Sequence, residues 1–186
     1  SIAHERVEPD GERALQRVRT TKDEIAGPLH IAAPRSGFVP VIWPVVDAFC
    51  QRYPDIQPDL HLDDQVSNWV LERADVGFRI GSPPEEGLIA RKLFPVQLIV
   101  CASPAYLARH GTPHTLADLR QHACLVGMVE VWRFQDGQQQ RDISVSGPLR
   151  CSSGVALRTA ALQGMGLVQL PDYYVADALA SGALVS

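Results

Sequence analysis

Serines, histidines, cysteines and paired carboxylates are the residues that could do chemistry in this chain, and their spacing argues against catalysis. A nucleophile elbow would place Ser or Cys in a GxSxG turn, and no such motif occurs. His110 and His114 stand four apart, as zinc ligands on one helix face do, but Gly111 and Pro113 between them forbid a helix. They read as surface loop histidines. The pair Asp63-Asp64 is accounted for by a helix cap, without an acid–base role. Glu85-Glu86 reads as solvated loop charge. Gly164-Met165-Gly166 lacks the third glycine of a dinucleotide fingerprint and follows a helical pattern, so it reads as a turn. Cys50, Cys101, Cys124 and Cys151 form no CxxC pair and read as free thiols in a reducing cytoplasm. No acid, base or nucleophile converges, so no enzyme, metal or cofactor chemistry is expected.

What remains is a set of loops where strands end. They are Pro34-Arg35-Ser36-Gly37-Phe38, Ser103, Val126-Gly127-Met128 and Ser152-Ser153-Gly154. Together they offer backbone N–H groups, hydroxyls and one guanidinium. In open α/β sheets, ligands sit beyond the C-terminal ends of the strands. These loops are therefore the candidate site for an anionic or polar small molecule, with Arg35 the partner for an anionic group. Each loop taken alone reads more readily as an ordinary turn or helix cap.

The elements that must position these loops follow from the apolar periodicity. Residues 12–26 carry a thin apolar stripe among charges and read as a solvated helix. Leu29–Ala33, Ile56–Leu62 and Asp75–Ile80 read as strands, with Pro58 suggesting an edge or a late start for the second. Between them a helix starts near Pro44 and ends at Pro54, and another follows Asp64. Leu88–Leu93 and Val96–Ala102 are further strands. A second series follows: Ser103-Pro104 starts a helix, Thr115–Asp118 resembles a capping box, and Cys124–Val126 is a short strand. Asp136-Gly137 signals a hairpin between Val129–Phe134 and Arg141–Val145. A helix from Gly154 to Gln163, a strand at Gly166–Leu170 and a last helix from Pro171 to Gly182 complete the chain. Alternating strands and helices argue for an α/β fold in two lobes with mostly parallel sheets.

The 186 residues suffice for two small lobes. Hydrophobic residues make up 46% and charged residues 20%, which is ordinary for a soluble globular chain. The net charge is −4 and no Lys/Arg-rich patch stands out, so this segment is not expected to grip nucleic acid by itself. No apolar run approaches a membrane span, and the polar start SIAHERVEPDGERAL is unlike a signal peptide.

Six phrases in order then carry a family resemblance. They are Gly27–Pro34 (GPLHIAAP), Phe49–Pro54 (FCQRYP), Leu71–Gly81 (LERADVGFRIG), Val100–Gly111 (VCASPAYLARHG), Ser146–Leu157 (SGPLRCSSGVAL) and Ala160–Pro171 (AALQGMGLVQLP). The chain resembles the effector-binding domain of LysR-type transcriptional regulators over roughly residues 5–186. Arg6–Gly11 resembles the end of a winged helix-turn-helix wing that runs into a linker helix.

The resemblance implies two Rossmann-like lobes of the type II periplasmic-binding-protein kind, preceded by a linker helix. Residues 1–26 would be the wing end and linker, 27–98 lobe I and 99–186 lobe II. It implies a small-molecule effector held between the lobes and a homodimer or homotetramer in the cytoplasm. Promoter DNA would be bound through a separate N-terminal head. Relative to the family pattern, that head does not precede Ser1, the linker is short, and lobe I lacks its final strand and helix. A stand-alone solute-binding protein of an uptake system is the alternative on the same fold.

Overall fold

A computed structural model describes residues 2–5, 19–20, 24–64, 73–81, 89–136 and 139–186. The chain divides into two units, Ser1–Val96 and Gln97–Ser186.

Unit 1 is organised around β4 (Gly27–Ala33), whose last three residues are buried. The other strands of its sheet are β1 (Ile2–Glu5), β5 (Ile56–Leu62), β6 (Val76–Arg79) and β7 (Ile89–Lys92), in the order β5-β4-β6-β1-β7. β4 pairs in parallel with both β5 and β6. β5 lies at the edge, where the missing N–H of Pro58 costs no ladder bond, as expected. The sheet is nevertheless mixed, because β1 runs antiparallel to both β6 and β7. Residues Ile2–Glu5, expected at the wing, are thus a strand of this sheet. Of the helix expected over 12–26, residues 12–18 and 21–23 lie outside the described residues. Its described parts, β2 (Arg19–Thr20) and β3 (Glu24–Ile25), form a short antiparallel ladder instead. The helix expected after Asp64 and the loop at Glu85-Glu86 also lie outside the described residues.

Between β4 and β5 the chain makes a π-helical turn, Phe38–Ile42, and then α1 (Trp43–Arg52), with Pro44 in its first turn. Proline suits that position because its N–H would have no helical partner anyway. Phe38, Ile42 and Val46 pack with Ile31, Ala33 and Phe78 to form the core of this unit. Among the apolar residues of α1, Val46 is buried, whereas Val45 and Phe49 are exposed.

Unit 2 is a three-stranded sheet of β8 (Leu98–Cys101), β12 (Leu167–Pro171) and β9 (Cys124–Leu125), in the order β8-β12-β9. Its strand residues alternate between two cores. Cys101, Leu125, Val168 and Leu170 face α3 (Gly154–Leu162) and α4 (Asp172–Ala180), whose Leu157, Ala161 and Val175 fill that side. Ala102, Cys124, Val126 and Leu167 face Tyr106 of α2 (Pro104–His110), Leu119, and Trp132 of the hairpin β10 (Val131–Asp136) and β11 (Gln139–Ser144). Cores on both faces explain the mostly apolar composition of these strands, which Gln169 interrupts in β12. Ser103 caps α2 by accepting the Tyr106 N–H at 3.2 Å, and the capping box at Thr115 and Asp118 is complete. No helix among the described residues is long and apolar enough to cross a membrane.

Candidate functional site

In unit 1 the candidate loop follows β4. Because β4 and β5 are parallel, their C-terminal ends share one edge of the sheet, joined there by the Asp63 N–H donating to the Ala33 carbonyl at 3.0 Å. The Ser36 backbone N–H and the Ser36 hydroxyl both donate to Asp64 Oδ1, each at 2.7 Å. This aspartate, expected as a helix cap, anchors the β4 loop. Arg35 Nη2 donates to the Leu62 carbonyl at 3.3 Å, so its exposed guanidinium is tethered beside the same edge. Gly37 turns the chain with φ +73, a conformation glycine adopts without Cβ strain. Phe38 then drops into the core, and Pro34 and Gly37 are buried. The residues that present polar groups at this edge are therefore Arg35 and Ser36. Pro34, Gly37 and Phe38 hold the loop from beneath.

In unit 2 the parallel pair β9 and β12 sets the corresponding edge. Val126 follows β9, bridges in parallel to Arg150, and donates its N–H to the Leu149 carbonyl at 2.8 Å. The Val126 carbonyl accepts the Cys151 N–H at 2.9 Å. These bonds bring Val126-Gly127-Met128 beside Ser152-Ser153-Gly154, which the sequence separates by more than twenty residues. Met128, Ser152 and Ser153 are exposed. Ser153 Oγ accepts the Ala156 N–H at 3.3 Å and so caps α3. The Ser152 hydroxyl is the exposed group of the pair that serves no cap. Gly154 is required by close approach, since a Cβ there would lie 2.6 Å from the Tyr174 ring.

Ser103 does not join this cluster. β8 runs antiparallel to β12, with Cys101 opposite Val168 and Leu98 opposite Pro171. The C-terminal end of β8 therefore lies at the edge away from Val126 and Ser152. C-terminal strand ends share one edge of a sheet only where neighbouring strands run parallel. The Ser103 hydroxyl is buried and engaged as the α2 cap.

Two further residues shape the unit 2 edge and were not singled out from the sequence. Arg150 Nη1 lies 2.5 Å from Glu130 Oε1, and its Nη2 donates to the Met128 carbonyl at 3.1 Å. Both side chains are exposed, so the pair adds little stability, but it pins the Met128–Glu130 loop to the strand end. Gln169 donates to the Arg133 carbonyl at 2.8 Å and accepts the Arg133 N–H at 3.1 Å, fixing the hairpin over β12. Only the hairpin signal pointed toward these contacts.

Nothing in these loops assembles a nucleophile with a base. Cys101 and Cys124 are buried, and that burial pushes both thiols up to about 11, which disfavours the reactive thiolate. His110 ends α2 and Gly111 follows with φ +83, so His110 and His114 do not share a helix face.

The model of the LysR substrate binding domain matches residues 22–186. The transcriptional regulator DmlR of Escherichia coli is 32% identical over 97% of this chain and 63% of its own length. CrgA of Neisseria meningitidis is 31% identical over 94% of the chain and 62% of its own length. The chain thus spans less than two thirds of the curated relatives it matches. The full-length structure of the Vibrio cholerae virulence activator AphB aligns with a TM-score of 0.80 and 31% identity, covering 94% of this chain and 59% of that one. The chain belongs to the LysR substrate-binding domain family, with its type II periplasmic-binding-protein-like fold.

Proposed function

We propose that this chain is the effector-sensing and oligomerisation region of a cytoplasmic transcription regulator, and that it performs no catalysis. The observation that carries the reading is shared by the two units. Each ends its parallel strands in a loop that displays hydroxyl, amide or guanidinium groups held by hydrogen bonds to its own unit: Ser36 and Arg35 by Asp64 and Leu62, Met128 by Arg150. Both Ser36 donors are taken by Asp64 and the Met128 carbonyl by Arg150, so the Arg35 guanidinium and the exposed Ser152 hydroxyl are the groups that would recognise a small polar or anionic effector. The proposed contacts are Arg35 and Ser36 in unit 1, supported by Pro34, Gly37 and Phe38, and Gly127, Met128, Ser152 and Gly154 in unit 2, supported by Val126 and Ser153. Promoter DNA would be engaged by a separate winged helix-turn-helix head, in a homodimer or homotetramer. An effector controls such a head only by binding one arrangement more tightly than the other. The named relatives are regulators, which does not favour a stand-alone solute-binding role.

The test is a gel shift with the product of the full reading frame on DNA from just upstream of its own gene. A specific, salt-sensitive shift whose midpoint moves with one added metabolite supports the reading. A folded full-length product that binds no DNA specifically overturns it.

A further inference from the structure

We infer that the unit 2 edge has an aromatic wall, Tyr174 backed by Tyr173, which selects an effector whose polar or anionic group is carried on a planar ring. This rests on the effector reading of the edge and names the class of molecule the edge takes. β12 runs parallel to β9, with Leu167 beside Cys124 and Val168 beside Leu125. The C-terminal end of β12 therefore reaches the same edge as Val126. Helix α4 starts there, at Asp172, and carries both tyrosines in its first turn.

The contact with Gly154 fixes where the Tyr174 ring lies. A Cβ at that glycine would sit 2.6, 2.8 and 3.0 Å from Cζ, Cε2 and Cε1 of the ring. The phenol end thus rests on the backbone that follows Ser152 and Ser153. The Tyr173 ring stands 4.9 Å away, tilted by 41°. That spacing is favourable for an aromatic pair. Both tyrosines are half-buried, so they keep surface open to solvent. The adjoining segments expose two more apolar side chains, Met128 at 65% and Val155 at 62%. Methionine is an adaptable partner for an aromatic ring. Covering these groups is the favourable term a ring would supply.

The charged side chains of the segments 126–130, 150–155 and 171–174 are Glu130, Arg150 and Asp172. Arg150 pairs with Glu130, and Asp172 accepts the Tyr173 N–H at 2.9 Å. What the edge adds to the Ser152 hydroxyl is therefore aromatic and apolar surface. A ring bearing one hydrogen-bonding substituent matches that combination. A small aliphatic acid would leave Tyr174, Met128 and Val155 uncovered.

The experiment is a calorimetric titration of the chain with matched pairs of equal charge and similar size: benzoate and cyclohexanecarboxylate, phenylacetate and cyclohexylacetate, phenol and cyclohexanol. At least one aromatic member should bind saturably, one to one, and about fivefold tighter than its saturated twin. The methionine methyl signals locate it by NMR. The chain has two methionines, Met128 at this edge and Met165 before β12 at the opposite one. The bound ring should shift the Met128 signal and leave Met165 in place. Tyr174→Leu should weaken the aromatic compound about fivefold and its twin not at all, and Tyr174→Phe should restore the affinity. If Tyr174→Leu does not fold, the twin comparison and the Met128 shift decide. No saturable binding by the three aromatic compounds, equal affinity of the twins, or a shift at Met165 alone overturns the inference. A ring-free metabolite that moves the promoter gel shift and binds Tyr174→Leu as well as the parent overturns it too, with the regulator reading intact. A Met128 shift beside a lack of specific DNA binding supports the aromatic wall and overturns the regulator reading alone.

Discussion

The Tyr106 hydroxyl lies 3.0 Å from His122 Nδ1 and accepts the Ala123 backbone N–H at 2.9 Å. One buried phenol on α2 thus ties the helix to the segment leading into β9. Burial holds this phenol above its ordinary range, so it stays neutral while it accepts the Ala123 N–H and pairs with His122. Tyr106→Phe keeps the ring stack on His110 but leaves the Ala123 N–H without its acceptor. The expected loss is about 1–3 kcal/mol, read as a lower urea midpoint with an unchanged slope. A midpoint equal to that of the parent chain would show that water replaces the phenol freely.

Gly147 packs its backbone against Cys124, and a Cβ there would sit 2.1 Å from the Cys124 carbonyl oxygen. The obstacle is backbone, so relief requires β9 itself to move. Gly147→Ala should therefore destabilise unit 2 by about 1–3 kcal/mol. At Gly127 an added Cβ meets nothing within 4 Å. Gly127→Ala should leave the thermal midpoint within about 1 °C of the parent, which makes it a folded probe of the candidate loop.

The contrast shows what was legible in the sequence. Leaving aside β1 and the β2–β3 ladder, the described strands and helices and the cap at Ser103 followed from local rules of turn chemistry and periodicity, as did one of the two readings of Pro58, an edge. Strand direction did not. Nothing local says that β8 runs against β12, and so Ser103 was grouped with loops at the other end of the sheet. Nor could pattern alone find the Arg150–Glu130 pair or the Ser36–Asp64 anchor, whose members stand 20 and 28 residues apart. Asp64, which reads as a helix cap, holds the Ser36 N–H and hydroxyl, and the first turns of the helix it would cap lie outside the described residues.

The four thiols divide by burial. Cys101 and Cys124 are 1% and 0% exposed, and desolvation pushes both up to about 11. Cys50 and Cys151 are partly exposed. Iodoacetamide near neutral pH should modify Cys50 and Cys151 in the folded chain and reach the other two only in denaturant. Peptide mass mapping would read the order. Early labelling of Cys124 would mean that unit 2 opens far more readily than its packing implies.

Acid sensitivity should come partly from Asp118. Backbone N–H groups of His114 and Thr115 hold its carboxyl below the usual value of 3.8. A depressed folded-state value means the stabilisation is present above the unfolded value and is lost as pH falls through the folded one. Asp118→Asn keeps an acceptor for the capping box but removes the titration. Its urea midpoint should fall less steeply below pH 4 than that of the parent, although Asp177, lowered by its bond to Arg158, leaves a residual slope. Superimposable acid profiles of variant and parent would remove Asp118 from the account.

Ser152 and Ser153 should separate binding from stability. Ser153 Oγ accepts the Ala156 N–H and caps α3, so Ser153→Ala should cost about 1 kcal/mol. Ser152 is exposed and caps nothing, so Ser152→Ala should leave the thermal midpoint unchanged. If the strand-end loops hold the effector, Ser152→Ala raises its dissociation constant about tenfold in a chain of parental stability, the loss of a hydrogen bond to a charged group. Ser153→Asp, which restores a cap acceptor and adds a negative charge beside Ser152, should recover the stability and weaken an anionic effector further. Tighter binding by Ser153→Asp would assign the effector a positive charge at this edge, and unchanged binding in both variants would place it elsewhere.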